Sequence, residues 1–302
     1  FKAPERGGEF TMKDYFLWFF LAALSSVLIA GYLLPGPLPS TIPHPGEKAN
    51  HQAGEFILYG DTRTNHDVHK DVVAQIRRLD FEFVINTGDL VEDGRKPVLW
   101  EHFRHIIGPL RDEYYPAVGN HEQWNRGGKS HMRKAFPFVP ETGYYSIEKL
   151  GIRFVFVNQY EPFSADSKQY KWLENQLRTP RPVMVIMHEP HFQANHSANE
   201  KTREQLIPLL KRYQTTAVFY GHSHMFGLKR EDDLAFIVTG GGGAPLYSPN
   251  PEELDKSIKE HHFIHFQRTE NGLFGSVIGR KGETLYEFTL PLKIREEAAP
   301  VL

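Results

Sequence analysis

Five short segments recur along the chain, each placing an Asp, Asn or His just after an apolar run. They are Gly60-Asp61-Thr62-Arg63, Gly88-Asp89, Gly119-Asn120-His121-Glu122, Met187-His188-Glu189 and Gly221-His222-Ser223-His224. Apolar runs this short, bounded by glycine, read as buried strands. The pattern therefore predicts polar side chains at the carboxyl ends of several strands, where open α/β sheets place their sites. Oxygen and imidazole donors gathered in this way can hold two divalent metals side by side, an arrangement suited to hydrolysing phosphate esters.

The intervening stretches support an α/β reading. Phe56-Ile57-Leu58-Tyr59 and Phe83-Val84-Ile85 read as strands, with Val68, Val72, Ile76 and Leu79 at helical spacing between them. Residues 98–110 have helical character, 114–118 read as a strand, 152–157 as a strand without a motif at its end, and 170–177 as a helix. Residues 183–187 and 217–220 read as strands flanking one helix over 200–213. From residue 235 onward the chain is rich in strands: 236–238, 263–266, 273–278 and 284–290. Alternation followed by consecutive strands predicts a layered α/β sandwich with mixed sheets.

Composition narrows the chemistry. There are 35 Lys and Arg against 37 Asp and Glu, and no basic cluster, so no nucleic-acid surface is evident. The absence of cysteine excludes disulfides and thiolate metal sites. A bound metal must use His, Asp, Glu or Asn, which suits Mn, Fe, Zn or Mg. Residues 15–34 form an uncharged stretch about long enough to cross a bilayer. It is read as an N-terminal transmembrane anchor, with a signal segment and a core helix as alternatives. Residues 1–11 read as an appended leader before a natural start at Met12. Residues 12–34 are then the anchor or signal segment, 35–50 a Pro-rich linker, 51–295 the catalytic domain and 296–302 a tail. Lys13 favours a cytoplasmic N-terminus and an extracytoplasmic, periplasmic or cell-surface, domain.

Taken singly, an Asp after a strand is a turn or helix cap, and a lone His is more often structural than metal-bound. His222 and His224 are stronger, because alternate residues of an extended segment carry two imidazoles to related positions. Taken together and in order, the segments resemble the calcineurin-like metallophosphoesterase superfamily, which includes the purple acid phosphatases. The resemblance covers about 180 residues, from Asp61 to the Gly240–Gly243 run. It implies a four-layer α/β/β/α sandwich with two mixed sheets and two divalent metal ions. In that scheme Asp89 bridges both metals, Asp61 and His224 complete one site, and Asn120, His188 and His222 complete the other. A metal-activated hydroxide attacks phosphorus in line, and His121 stabilises the transition state or protonates the leaving oxygen.

The first motif departs from that scheme. Many members read Asp-x-His there, with the His a metal ligand, whereas this chain has Arg63. Purple acid phosphatases instead supply a Tyr three residues after the bridging Asp, where this chain has Glu92. Arginine stays protonated and cannot be a ligand, but a guanidinium can hold phosphate oxygens bidentately. Arg63 is therefore a catalytic candidate, with a surface arginine opening a helix as the alternative; Glu92 and Asp93 are candidate replacement ligands, each more readily read as a residue of a solvated loop. Gly240-Gly241-Gly242-Gly243 lacks the Gly-Lys-Ser/Thr of a nucleotide P-loop and is expected to pass close to the metal cleft. His191 and His196 are further cleft candidates. The leading expectation is a membrane-tethered phosphoesterase acting on a phosphate-ester substrate. The alternatives are a binding or scaffold module of the same fold with weak or no turnover, and an amide hydrolase without specific support.

Overall fold

The computed structural model describes residues 54–195 and 198–294. The expected leader, anchor, linker and tail lie outside the described residues, as does His196. Among the described residues no helix is long and apolar enough to cross a membrane.

Strand and helix alternate at first. β1 (Glu55–Tyr59) is followed by α1 (His66–Ile76), β2 (Phe83–Asn86) by α2 (Pro97–Ile106), and β3 (Tyr114–Pro116) by α3 (Lys129–Ala135). Then come β4 (Tyr145–Lys149), β5 (Ile152–Phe156), α4 (Lys168–Leu177), β6 (Val183–Ile186), α5 (Glu200–Gln205), α6 (Ile207–Arg212) and β7 (Ala217–Tyr220). β8 (Phe226–Glu231), β9 (Leu234–Thr239), β10 (Lys256–Ile258), β11 (His262–Arg268), β12 (Gly272–Gly279) and β13 (Thr284–Pro291) complete the order. Side-chain oxygens of Asn65, Ser167 and Asn199 cap α1, α4 and α5 by accepting from the N–H groups of Val68, Tyr170 and Thr202.

The helix expected over 200–213 is two helices. Pro208 has no N–H to donate to the preceding turn, and the chain breaks at Leu206 before restarting. The helix expected over 98–110 starts one residue earlier, at Pro97. It stops at Ile106, and a 3-10 segment, Gly108–Glu113, continues to β3.

The strands form two mixed sheets, ordered β13-β12-β11-β1-β2-β3 and β10-β8-β9-β7-β6-β5-β4. In the first, β1, β2 and β3 run parallel, with Phe56 opposite Phe83 on one side and antiparallel to Phe266 on the other. In the second, β5, β6, β7 and β9 run parallel. Alternation along these strands assigns their faces. Ile152, Phe154 and Phe156 of β5, with Met184, Ile186, Ala217 and Phe219, join the core shared with the first sheet. Their neighbours Val155, Val183, Val185, Val218 and Tyr220 pack instead with Leu173, Leu177, Leu206 and Leu210 from the helices.

Phe154 makes edge contacts with Phe56 and Phe83 across the two sheets. On the far face of the first sheet, Tyr59 reaches His69 of α1, and Tyr114 meets Phe103 of α2. Each fully buried aromatic contributes on the order of 2 kcal/mol by removal from water. Helices thus cover the outer faces of two sheets packed together, which leaves the carboxyl ends of the parallel strands as the shared edge.

Candidate metal centre

That edge carries all five motifs. Asp61 follows β1, Asp89 follows β2, Asn120 and His121 follow β3, His188 follows β6, and His222 and His224 follow β7. Strands from both sheets therefore deliver side chains to one place. The loops are pressed so tightly that the motif glycines have steric reasons. A Cβ on Gly119 would lie 2.3 Å from Asp89 Oδ1, and one on Gly221 would lie 2.5 Å from Asp61 Oδ2. Asp61, Asp89 and His222 themselves have φ of 55°, 55° and 65°, in the left-handed region that non-glycine residues seldom enter. Local hydrogen bonds offset that strain: the Asp61 N–H donates to the Gly88 carbonyl, and the His222 N–H donates to the Asp61 carboxylate at 2.9 Å.

Two half-sites meet at Asp89. In one, His188 Nε2 lies 3.1 Å from Asn120 Oδ1 and 3.3 Å from Asp89 Oδ1, while His222 Nδ1 lies 3.1 Å from Asn120 Oδ1. His188 Nδ1 donates to the Thr87 carbonyl at 2.9 Å, so its other nitrogen is the one aimed at the cluster. An amide oxygen, a carboxylate oxygen and an imidazole nitrogen then converge, and such a set needs a proton or a metal ion between its members. Burial works against a charge on His188, but the Asp89 carboxylate overrides it and pushes the imidazole up to about 10. The same field would hold a divalent cation. Burial, and next His188, push His222 down to about 4, leaving it a neutral donor. One amide, two imidazoles and a carboxylate fit a Mn, Fe, Zn or Mg ion.

In the other half-site, the carboxylates of Asp61 and Asp89 and the imidazole of His224 lie within 4.8 Å of one another, all buried. His224 Nδ1 donates to the Pro245 carbonyl at 2.7 Å and the ring stacks on Tyr247 at 4.1 Å, directing Nε2 to Asp61 Oδ1 at 3.3 Å. Arg63 enters this half, with Nε 3.3 Å from Asp89 Oδ2, Nη1 2.8 Å from Glu92 Oε2 and Nη2 3.4 Å from His224 Nε2. Glu92 is therefore spoken for by Arg63 and Thr64. Asp93 pairs with Arg95 and points elsewhere. The glycine run does pass the cluster: Gly242 and Ala244 N–H groups donate to the Gly60 and Asp61 carbonyls.

His121 stands at the rim, 23% exposed, with Nε2 4.0 Å from Asp89 Oδ2. Its Nδ1–H donates to the Glu92 carbonyl at 2.6 Å, which leaves Nε2 facing the cluster. His191 does not line the cleft. It is buried against Phe236, Phe192 and Tyr220 on the helix-covered face of the second sheet, and burial pushes it down to about 4.

Two supporting residues carry roles that sequence reasoning left unassigned. Glu122 accepts the backbone N–H groups of Asp89, Leu90 and Gly119 at 2.8, 2.8 and 2.6 Å, tying two motif loops together. Burial, and next Asp89, push its carboxyl up to about 8. Gln159 Oε1 accepts from the N–H groups of His188 and Glu189, and its amide donates to the Glu189 carbonyl and Thr202. The sequence signals were present: Glu122 closes the third motif, and Gln159 follows the strand that seemed to lack one.

A cavity of about 380 Å³ opens beside the cluster, lined by Asn120, Gln123, Trp124, Asn125, Arg126 and Tyr160. A larger one of about 780 Å³, around Phe192, Lys211 and Glu253, contains none of the cluster residues and lies with the outer helices.

The chain is similar to known proteins along most of the described residues. The chain is 30% identical to purple acid phosphatase 21 of Arabidopsis thaliana over 246 residues, covering 70% of the chain and 56% of that protein. It is 28% identical to probable purple acid phosphatase 20 of the same plant, covering 66% of the chain and 55% of the relative. The chain thus spans about half the length of the curated relatives it matches. The fold is shared with a purple acid phosphatase from yellow lupin (Lupinus luteus) seeds, at a TM-score of 0.69 and 18% identity, over 80% of this chain and 54% of that one. With residues 55–226 matching the model of the calcineurin-like phosphoesterases, this chain belongs to that family.

Proposed function

We propose that this chain is a membrane-tethered, metal-dependent phosphoesterase whose catalytic domain lies outside the cytoplasm. The observation that carries the hydrolytic reading is the convergence of Asp61, Asp89, Asn120, His188, His222 and His224, from two sheets, on one cluster of buried and half-buried side chains beside an open cavity. The tether rests on the uncharged stretch at 15–34 and its length.

Asn120, His188, His222 and Asp89 would hold a divalent cation, and Asp61, Asp89 and His224 face the adjoining cationic position. When bound, a divalent cation supplies Lewis acidity toward a phosphoryl oxygen and lowers the pKa of water. The chain's own residues do the rest. Arg63 presents guanidinium N–H groups beside Asp89, where they bind phosphoryl oxygens in the geometry that charge-assisted bonds favour. His121, its Nδ1 fixed by the Glu92 carbonyl, keeps Nε2 available to pass a proton to the leaving oxygen. Asn125 and Arg126, in the adjoining cavity, bear on the organic part of the ester.

A binding module without turnover is the second reading, favoured by one observation: Arg63 stands among the cluster side chains. Hydrolysis of an aryl phosphate by the Mn-loaded full chain separates the two. The enzyme reading expects turnover that chelation removes. A chain that binds metal but hydrolyses no monoester, diester or pyrophosphate contradicts it.

A further inference from the structure

We infer that the centre holds one divalent ion per chain, among Asn120, His188, His222 and Asp89, and that the Arg63 guanidinium is the cation of the adjoining half-site. This rests on the metal reading above and departs from the pair of ions that the motif series suggests.

The argument starts from lone pairs. His224 spends its N–H on the Pro245 carbonyl, so Nε2 is an acceptor, and it faces another acceptor, Asp61 Oδ1, at 3.3 Å. Two acceptors this close need a positive charge beside them. Arg63 is that charge. Nη2 lies 3.4 Å from His224 Nε2 and Nε lies 3.3 Å from Asp89 Oδ2, so the same atoms that would ligate an ion already meet guanidinium nitrogens. The side chain is only 12% exposed, and Nη1 is anchored on Glu92 at 2.8 Å. A guanidinium neither loses its proton nor offers a lone pair. It therefore contributes charge without ligation, and an added divalent ion would sit against a fixed positive charge. Among the described residues no guanidinium enters the neighbouring half, where an amide oxygen, a carboxylate oxygen and imidazole nitrogens converge on each other.

Charge balance agrees. One divalent ion and Arg63 bring three positive charges to the three carboxylates around them, Asp61, Asp89 and Glu92. A second divalent ion leaves the three with an excess of two, which is costly beside Asp61 and Asp89, both shut away from water. Arg63 Nε also lacks a well-aligned hydrogen-bond partner among the described residues. A buried donor left over in this way is free to take a phosphoryl oxygen while the charge stays in place.

The test is metal stoichiometry, not turnover. The full chain is saturated with Mn, desalted and assayed by elemental analysis, titration calorimetry and electron paramagnetic resonance. We expect one Mn per chain with a spectrum free of Mn–Mn coupling. Arg63→His is expected to bind two, with coupling visible, and Arg63→Lys to stay at one. Two ions in the wild-type chain overturn the inference while leaving the metal reading intact. No bound ion overturns both. Should Arg63→His fail to fold, the wild-type stoichiometry and spectrum decide alone.

Discussion

The two halves of the cluster are built from the same kind of loop, yet only one of them holds a guanidinium. The half around Asn120, His188 and His222 has an amide oxygen and two imidazoles converging beside one carboxylate, and it is braced by the Thr87 carbonyl and by Gln159. The half around Asp61 and His224 has two carboxylates and an imidazole within 4.8 Å, and a guanidinium in contact with two of the three. Ligand residue types alone do not make a metal site. What matters is whether a positive charge that cannot leave as a proton already meets their lone pairs.

The harshest way to break the comparison is to remove what both halves share. Asp89→Asn is expected to cut turnover of an aryl phosphate by on the order of 10³-fold or more, since charge stabilisation at the reacting centre is lost. Its circular dichroism should stay unchanged, because Asp89 lies in a strand-end loop rather than the inter-sheet core. Near wild-type turnover would remove Asp89 from its central place.

The next test acts on one half only. Gln159→Leu leaves the N–H groups of His188 and Glu189 without their acceptor and loosens the imidazole. Such outer-shell changes cost roughly 10–100-fold in metal affinity. Tyr247→Ala removes the ring stacked on His224 in the other half and should leave the affinity of the first-bound ion within about threefold, because packing there does not reach that ion. Equal effects in calorimetry would erase the distinction.

Glu122→Gln tests the tie between the loops. It replaces one accepting oxygen with an NH₂ group facing backbone donors, and is expected to destabilise the fold by about 1–3 kcal/mol in urea titration. No change in midpoint would show that the loops are held by other means.

The smallest effect distinguishes acid loss of the fold from acid loss of the metal. Burial pushes His69 down to about 3 and His262 down to about 4, both from 6.5, and neither belongs to the cluster. Both are neutral when folded at pH 7. As pH falls from 6.5 toward 4, the unfolded chain takes up protons that the folded chain refuses. Each site then withdraws up to about 1.4 kcal/mol per pH unit. His69→Phe should flatten the urea midpoint between pH 7 and pH 5. An unaltered slope would show that His69 is protonated in the folded chain.

Much of this arrangement was legible in the sequence, for a local reason. A ligand at a strand end needs a buried run, a glycine where loops touch and a polar residue next, all within a few positions, as in Gly119-Asn120 and Gly221-His222. What the sequence concealed depends on distant partners. β4 and β8 carry Glu148, Lys149, Lys229 and Arg230 instead of an unbroken apolar run, yet pairing with β5 and β9 makes them strands. Glu122 acts on Asp89, thirty-three positions away, and Gln159 acts on His188, twenty-nine away. Arg63 was recognisable as a departure, but only the fold shows it touching Asp89 and His224.

The most direct test is to locate the metal. Anomalous scattering from crystals of the Mn-saturated chain should show one strong peak, coordinated by Asn120, His188, His222 and Asp89, with the Arg63 guanidinium still against Asp89 and His224. A second peak of similar strength between Asp61 and His224, with Arg63 displaced toward Glu92, would contradict the account.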